Sequence, residues 1–311
     1  MSLCLLALPG NERMATSLAD ILGRTSDPIE LHNFPDGETS LRINVDLAGR
    51  EVAIVCTLDR PNEKLAPLLF AADLARDLGA TSVGLIAPYL AYMRQDMRFN
   101  PGESVTARYF PRIVSTNFDW LVTVDPHLHR IAALQEVYDI PAIAARSAPA
   151  IGAWIRANVD KPGLIGPDAE SLQWVSEVAR HADAPFMVLE KIRGGDHDVA
   201  VNVVGNAAEP AWIKQCTAVI VDDIASTART LIAALQSIKA ASGARPVCVV
   251  VHAVFSGDAY AALSAAGAAK VVSCDTVVHG SNTISISREL AAGAIEARKA
   301  AVARSTQRRG A

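Results

Sequence analysis

The stretch Ala218-Val219-Ile220-Val221-Asp222-Asp223-Ile224-Ala225-Ser226-Thr227-Ala228-Arg229-Thr230-Leu231 decides how this chain is read. Its first four residues are apolar without alternation, the pattern of a strand covered on both faces. The strand runs straight into two carboxylates, then a turn of small and hydroxyl residues, then a segment of helical period over residues 227–241. Strand, polar turn and helix in that order form the repeating unit of a parallel sheet with right-handed crossovers. The turn is also an anion cradle. Unpaired backbone N–H groups and the positive end of the helix dipole converge there, with hydroxyls beside them. Asp222 and Asp223 cannot themselves favour a phosphate, so they call for another partner, either the 2- and 3-hydroxyls of a sugar or a metal ion. A strand end with a capping Ser226 and solvated aspartates is the plain alternative. Adjacent carboxylates directly behind a buried strand favour the functional reading.

Outward from this unit the same alternation recurs. Strand-type runs lie at 2–7, 29–34, 52–56, 83–87, 121–124, 163–165, 186–189, 247–254 and 271–274, and helical stretches at 12–22, 62–78, 107–115, 148–158, 172–181, 260–266 and 289–302. The fold class is α/β, with mostly parallel sheets flanked by helices. At 311 residues the chain has room for two domains of about 150 residues each. The extended Ile140-Pro141 and the following Arg146-Ser147-Ala148-Pro149 place the boundary so that the domains span 1–145 and 146–311. Half of the residues are hydrophobic, which excludes a disordered chain. A net charge of −4 leaves no basic surface for nucleic acid. The five cysteines are scattered with no CxxC pair, against both a disulfide framework and a zinc site. Leu3–Ala7 lacks a preceding basic region and ends at Pro9-Gly10, so it reads as a core strand rather than a signal peptide. No apolar stretch is long enough to span a bilayer. A cytoplasmic location is therefore expected, with no membrane and no nucleic-acid partner.

Five further motifs accompany the first: Phe34-Pro35-Asp36-Gly37-Glu38, Arg94-Gln95-Asp96 within Pro88–Asp96, Asp125-Pro126-His127, Pro167-Asp168-Ala169 and Glu190-Lys191-Ile192-Arg193. Each alone has an ordinary reading, a core phenylalanine, a turn aspartate or a solvated charged face. Their order is what carries information. From about Phe34 to Phe255-Ser256-Gly257 the sequence closely resembles the ribose-phosphate pyrophosphokinase (PRPP synthetase) family.

The resemblance implies two phosphoribosyltransferase-like domains and a kinase that moves the β,γ-diphosphoryl group of MgATP to the 1-hydroxyl of ribose 5-phosphate, giving PRPP and AMP. It implies an ATP site at Phe34, Asp36, Glu38, Arg94, Gln95 and Asp96. Arginine's fork suits a triphosphate and a phenylalanine can stack on adenine. Magnesium falls on His127 and Asp168, with Asp125 as a third candidate. Catalysis falls on Lys191 and Arg193. Ribose 5-phosphate falls on Arg193, Asp222, Asp223, Ser226, Thr227, Ala228, Arg229 and Thr230. The implied cofactor is Mg2+, with ATP as co-substrate, and the implied assembly is a homo-oligomer, a dimer or a hexamer.

Three departures stand against that pattern. The family's common Thr-Gly-Gly-Thr is here Thr227-Ala228-Arg229-Thr230, which removes two glycines from a place where positive φ would need them. Its Pro-Asp-Ala-Gly-Gly is here Pro167-Asp168-Ala169-Glu170-Ser171, which sets an extra carboxylate beside a polyanion site. Residues 301–311 do not match the tail that ADP-regulated members use. Two other readings follow, a non-catalytic regulatory relative and a phosphoribosyltransferase that binds PRPP itself.

Overall fold

The computed structural model describes residues 2–191, 201–205 and 215–309. The chain forms two compact units, one of Met1–Arg146 with Ser287–Ala311 and one of Ser147–Ile286. The first holds β1 (Leu3–Ala7), α1 (Glu12–Leu22), β2 (Ser26–Pro28), β3 (Glu30–Asn33), β4 (Thr39–Arg42), β5 (Glu51–Val55), α2 (Pro61–Asp77), β6 (Ser82–Ala87), α3 (Thr106–Asn117), β7 (Trp120–Val124) and β8 (Ala142–Ala145). The second holds α4 (Ala148–Asn158), β9 (Pro162–Gly166), α5 (Leu172–Ala182), β10 (Phe186–Lys191), β11 (Val201–Gly205), β12 (Thr217–Ala225), α6 (Arg229–Ser242), β13 (Val247–Ala253), α7 (Ala259–Ala265), β14 (Lys270–Cys274) and β15 (Asn282–Ile284). Helix α8 (Ser287–Arg309) then returns to the first unit.

In the first unit the strands lie in the order β2-β1-β5-β6-β7-β8, all parallel. Every residue of β1 and β7 is buried, as a sheet covered on both faces demands. The order changes sides at β1 and β5, which leaves the strands' carboxyl ends open for ligand-carrying loops. In the second unit the order is β11-β10-β9-β12-β13-β14-β15, parallel except for the antiparallel pair β10 and β11. All seven residues of β13 are buried beside β12, whose carboxyl end carries the two aspartates. Among the described residues no helix is long and apolar enough to cross a membrane.

Helix α8 differs from the sequence-based domain boundary, which assigned 146–311 to one domain. It packs on β7, β8 and α1, and Arg298 donates to Glu51 through Nε at 2.8 Å and Nη2 at 2.6 Å. Its role there is to cover an apolar sheet face that the first unit's own helices leave open. Packing is tightest where β6 passes Trp120, which is 1% exposed. A Cβ on Gly84 would lie 1.9 Å from the indole Cε2. Gly84→Ala is therefore expected to destabilise the first unit by about 3 kcal/mol through overpacking, read as a lower midpoint in urea unfolding.

Candidate active site

In the first unit the candidate nucleotide residues lie on three loops. Phe34, Asp36 and Glu38 occupy the tip of the antiparallel β3–β4 hairpin. The tip is closed by Phe34 N–H donating to the Glu38 carbonyl at 2.8 Å, Gly37 N–H to the Phe34 carbonyl at 3.0 Å and Glu38 N–H to Asp36 Oδ1 at 3.2 Å. Gly37 takes φ +93, which the turn requires and a side chain resists. Phe34 is 43% exposed, its ring edge-on to His32 at 4.7 Å, so it is not a core aromatic.

The second loop follows Tyr92, a residue at φ +63. Arg94 is exposed, while its neighbours are spent on the loop itself. Gln95 Nε2 donates to the Met97 carbonyl at 3.1 Å and to Glu103 Oε2 at 3.3 Å. Glu103 also accepts from the backbone N–H groups of Phe99 and Asn100 at 2.9 and 3.0 Å. These bonds hold its carboxyl below the usual carboxylate range, with the Asn100 side chain contributing most. Asp96 is buried and takes Arg130 Nη1 on both oxygens, at 3.0 and 3.3 Å, while the Arg130 guanidinium lies 6.0 Å over the Phe99 ring. Asp96, read from sequence as a nucleotide ligand, is engaged in bracing the loop.

The third loop follows β7. Asp125 is buried at φ +31, its N–H on the Ala145 carbonyl at 3.0 Å and its Oδ1 4.0 Å from Arg146 Nη1. Leu128 packs against the core, and the histidines on either side of it share the outer side. His127 Nδ1 and His129 Nε2 are 3.1 Å apart. Sequence reasoning singled out His127 and passed over His129, although the His-Leu-His spacing was the available signal.

In the second unit, Asp168 lies two residues beyond β9 and caps the turn that follows, its Oδ1 accepting Ser171 N–H at 3.2 Å. The turn fits because position 166 is glycine. A Cβ there would lie 2.2 Å from Ser171 Oγ. Partial burial raises the Asp168 carboxyl above its ordinary range, and the charges of Glu170 and Asp223 raise it further. Asp222 is raised well above the ordinary value, first by burial, then by repulsion from Asp223 and Asp168. Three carboxylates thus crowd one end of the sheet.

After β12 the chain turns at Ser226 and Thr227 and enters α6. Ala228, at φ +56, is the residue before the helix, and no side chain caps its first N–H groups. The Ser226 carbonyl accepts Ser256 N–H at 3.1 Å, which ties the Phe255-Ser256-Gly257 turn to this loop. Arg229 and Thr230 are exposed in the first turn of α6. Lys191 is the last residue of β10, paired with Val201 of β11. Arg193 lies outside the described residues.

Residues 3–116 match the family model for the N-terminal domain of ribose phosphate pyrophosphokinase, and residues 133–286 match the phosphoribosyl transferase domain. A ribose-phosphate pyrophosphokinase of Methanopyrus kandleri is 31% identical, over 92% of this chain and 96% of that one. The chain belongs to the ribose-phosphate pyrophosphokinase family. The ribose-phosphate pyrophosphokinase of Methanothermobacter thermautotrophicus is 32% identical, over 89% of this chain and 94% of that one. The crystal structure of phosphoribosylpyrophosphate synthetase from Mycobacterium smegmatis shares the fold, with a TM-score of 0.80 at 22% identity over 94% of this chain and 97% of that one.

Two of the family departures acquire a physical form here. Of the two residues that replace Gly-Gly, only Ala228 takes a left-handed conformation. Arg229 is already helical and carries no backbone strain. Ser171, in place of the last glycine of the aspartate motif, closes its turn on Asp168, so it supports the Asp168 backbone as well as filling space.

Proposed function

We propose that the chain is a ribose-phosphate diphosphokinase that converts MgATP and ribose 5-phosphate to AMP and PRPP. The observation that carries this reading is that the turn after β12, with the neighbouring turn after β9, combines three features that are each unfavourable without a ligand. Ala228 is left-handed, which costs an L-residue about 1–2 kcal/mol. Arg229 puts a cation at the positive end of α6, against the helix dipole. Asp222, Asp223 and Asp168 repel one another. A phosphate dianion offsets the second, and sugar hydroxyls, which donate hydrogen bonds, offset the third. A pentose phosphate carries both groups on one molecule.

In the reaction the O1 oxygen of ribose 5-phosphate attacks the β-phosphorus of ATP. The bond from β-phosphorus to the α–β bridging oxygen breaks, AMP leaves with that oxygen, and the O1 proton passes to solvent or the leaving phosphate. Little covalent work falls to the protein in such a displacement. Positioning and charge cancellation carry it. The Asp222 and Asp223 carboxylates hold the ribose hydroxyls, and the α6 N-terminus with Arg229 holds the 5-phosphate. Arg94 offers its fork to the triphosphate and Phe34 its ring to the base. Lys191 and Arg193 supply charge for the transferring oxygens. Magnesium, a hard ion that prefers oxygen donors, suits the carboxylate of Asp168 and would neutralise phosphate charge when bound. The subunits work as a homo-oligomer.

The decisive assay is incubation with MgATP and ribose 5-phosphate, with AMP and PRPP followed by chromatography. AMP is expected only when the sugar phosphate is present. A folded protein that forms no AMP would refute the reading and favour a regulatory relative. The loop itself predicts opposite signs for Arg229→Ala. The variant should gain about 0.3–1 kcal/mol in stability, because a cation leaves the positive helix end. Its KM for ribose 5-phosphate should rise about tenfold, because a phosphate loses a charged donor. Thermal unfolding and initial rates measure the two effects separately.

A further inference from the structure

The loop that carries Arg94, Gln95 and Asp96 is closed by a residue with no part in the reaction as proposed. Glu103 receives four N–H donors on its two carboxylate oxygens. Oε2 accepts from Phe99 N–H at 2.9 Å, Asn100 N–H at 3.0 Å and Gln95 Nε2 at 3.3 Å, and Oε1 accepts from Asn100 Nδ2 at 2.6 Å. The Glu103 carbonyl accepts Arg98 Nε at 2.9 Å, and its N–H donates to the Asn100 carbonyl at 3.3 Å. Only an ionised carboxylate offers acceptors on both oxygens and no hydrogen to repel a donor. The Asn100 side chain, followed by the backbone donors, holds this carboxyl below its ordinary range, so it is charged near neutral pH.

Little else closes the tip of this loop. Met97 is 38% and Phe99 56% exposed, so apolar burial adds little, and the Arg130 guanidinium approaches the Phe99 ring only to 6.0 Å. The tip is therefore as stable as its polar bonds. The base of the loop is held by other means. Met93 is buried, the Tyr92 carbonyl accepts Thr106 Oγ1 at 3.2 Å, and buried Asp96 takes Arg130 at 3.0 Å. Gln95 is where base and tip meet. Its carbonyl accepts Ala107 N–H at 3.2 Å, while its side chain reaches the Met97 carbonyl and Glu103. Both acidic side chains between residues 94 and 103 are thus taken up by donors, Asp96 by Arg130 and Glu103 by N–H groups of the loop.

We infer that Glu103 is a positioning residue for the nucleotide, which fixes the tip of the loop and, through Gln95, the stretch that meets the triphosphate. The inference rests on the reading of this loop as the ATP side of the site. Glu103 acts without touching a nucleotide atom, and its effect belongs to the affinity for MgATP rather than to that for the sugar phosphate, whose loop lies in the other unit.

The test is calorimetric binding of MgATP to the full chain, with ribose 5-phosphate titrated separately. Glu103→Gln should weaken MgATP about tenfold and change ribose 5-phosphate affinity by less than about twofold, because an amide has one acceptor oxygen and turns its NH2 towards the remaining donors. Asn100→Ala, which removes only the Nδ2 donor, should give a smaller loss in the same direction. Circular dichroism verifies that each variant is folded, and should Glu103→Gln fail to fold, an unchanged MgATP affinity in Asn100→Ala counts against the inference. A double-mutant cycle separates positioning through Gln95 from general loosening. In a Gln95→Ala background, Glu103→Gln should cost less than about threefold further. Neither titration needs turnover, so a chain that forms no AMP yet shows this cycle would defeat the proposed reaction and keep the inference. Unchanged MgATP affinity in Glu103→Gln, equal loss of both ligands, full additivity with Gln95→Ala, or a parent chain that binds no MgATP would each overturn it.

Discussion

Lys191→Ala is expected to lower kcat by about 10²–10³-fold, the loss typical of one donor aimed at transition-state charge. The KM for ribose 5-phosphate should change by less than about threefold. Lys191 stands at the end of β10, where the strand pairs with β11 through Lys191 with Val201 and Glu190 with Asn202, while its pairing with β9 covers Phe186 to Val188. In the reaction proposed above, a lysine ammonium contributes when charge moves onto the transferring diphosphoryl oxygens, and contributes little to ground-state sugar binding. Steady-state kinetics, with calorimetric binding of ribose 5-phosphate to the inactive variant, separate the two effects. A KM that rises with kcat intact would instead make Lys191 a ground-state contact, and the loop of the α6 N-terminus would have to carry the transition state alone.

The parts of the fold legible in the sequence were those in which burial itself writes the pattern. Continuous apolar runs such as 83–87 and 247–254 correspond to β6 and β13, and the helical stretches 12–22 and 148–158 coincide with α1 and α4. The hairpin around Phe34 was not legible in full. Residues 29–34 read as one core strand, yet only Ile29 is buried, at 2% exposure, and the chain breaks there into β2 on the sheet and β3 paired with β4. A two-stranded ribbon with one face to solvent leaves no continuous apolar run. The allegiance of α8 was equally hidden, because a helix's apolar stripe says that it packs but not on which sheet. At the site, the ordered motifs named the loops correctly as loops, but residue type did not reveal use. Asp96 accepts from Arg130, a partner its sequence motif does not name, and His129, with no periodic pattern around it, sits against His127.

Asp222→Asn is expected to abolish most sugar binding and at the same time to make the protein more stable. The two effects have one cause. In the folded chain burial, Asp223 and Asp168 all push the Asp222 carboxyl up. The native state therefore keeps that proton to higher pH than the unfolded chain does. Between the two values the native state binds more protons, so stability falls as pH rises. The contribution is fully present below the ordinary aspartate value, about 3.9, and is lost as pH climbs through the raised one. Above the raised value the ligand-free protein has surrendered it. The amide has the same shape, carries no charge and can still accept the Asp223 N–H that Asp222 Oδ1 accepts at 3.0 Å. At a pH above the raised value its midpoint should exceed that of the parent by roughly 2–4 °C per kcal/mol of repulsion relieved. The gain should shrink towards pH 4, where both side chains are neutral. Ribose 5-phosphate affinity should fall about 10- to 100-fold, the worth of a hydrogen bond to a charged acceptor. Saturating ribose 5-phosphate should raise the parent's midpoint and barely move the variant's. A variant whose stability relative to the parent does not rise with pH, or that binds the sugar as the parent does, would show that the carboxylates at the end of β12 are not held apart for a ligand.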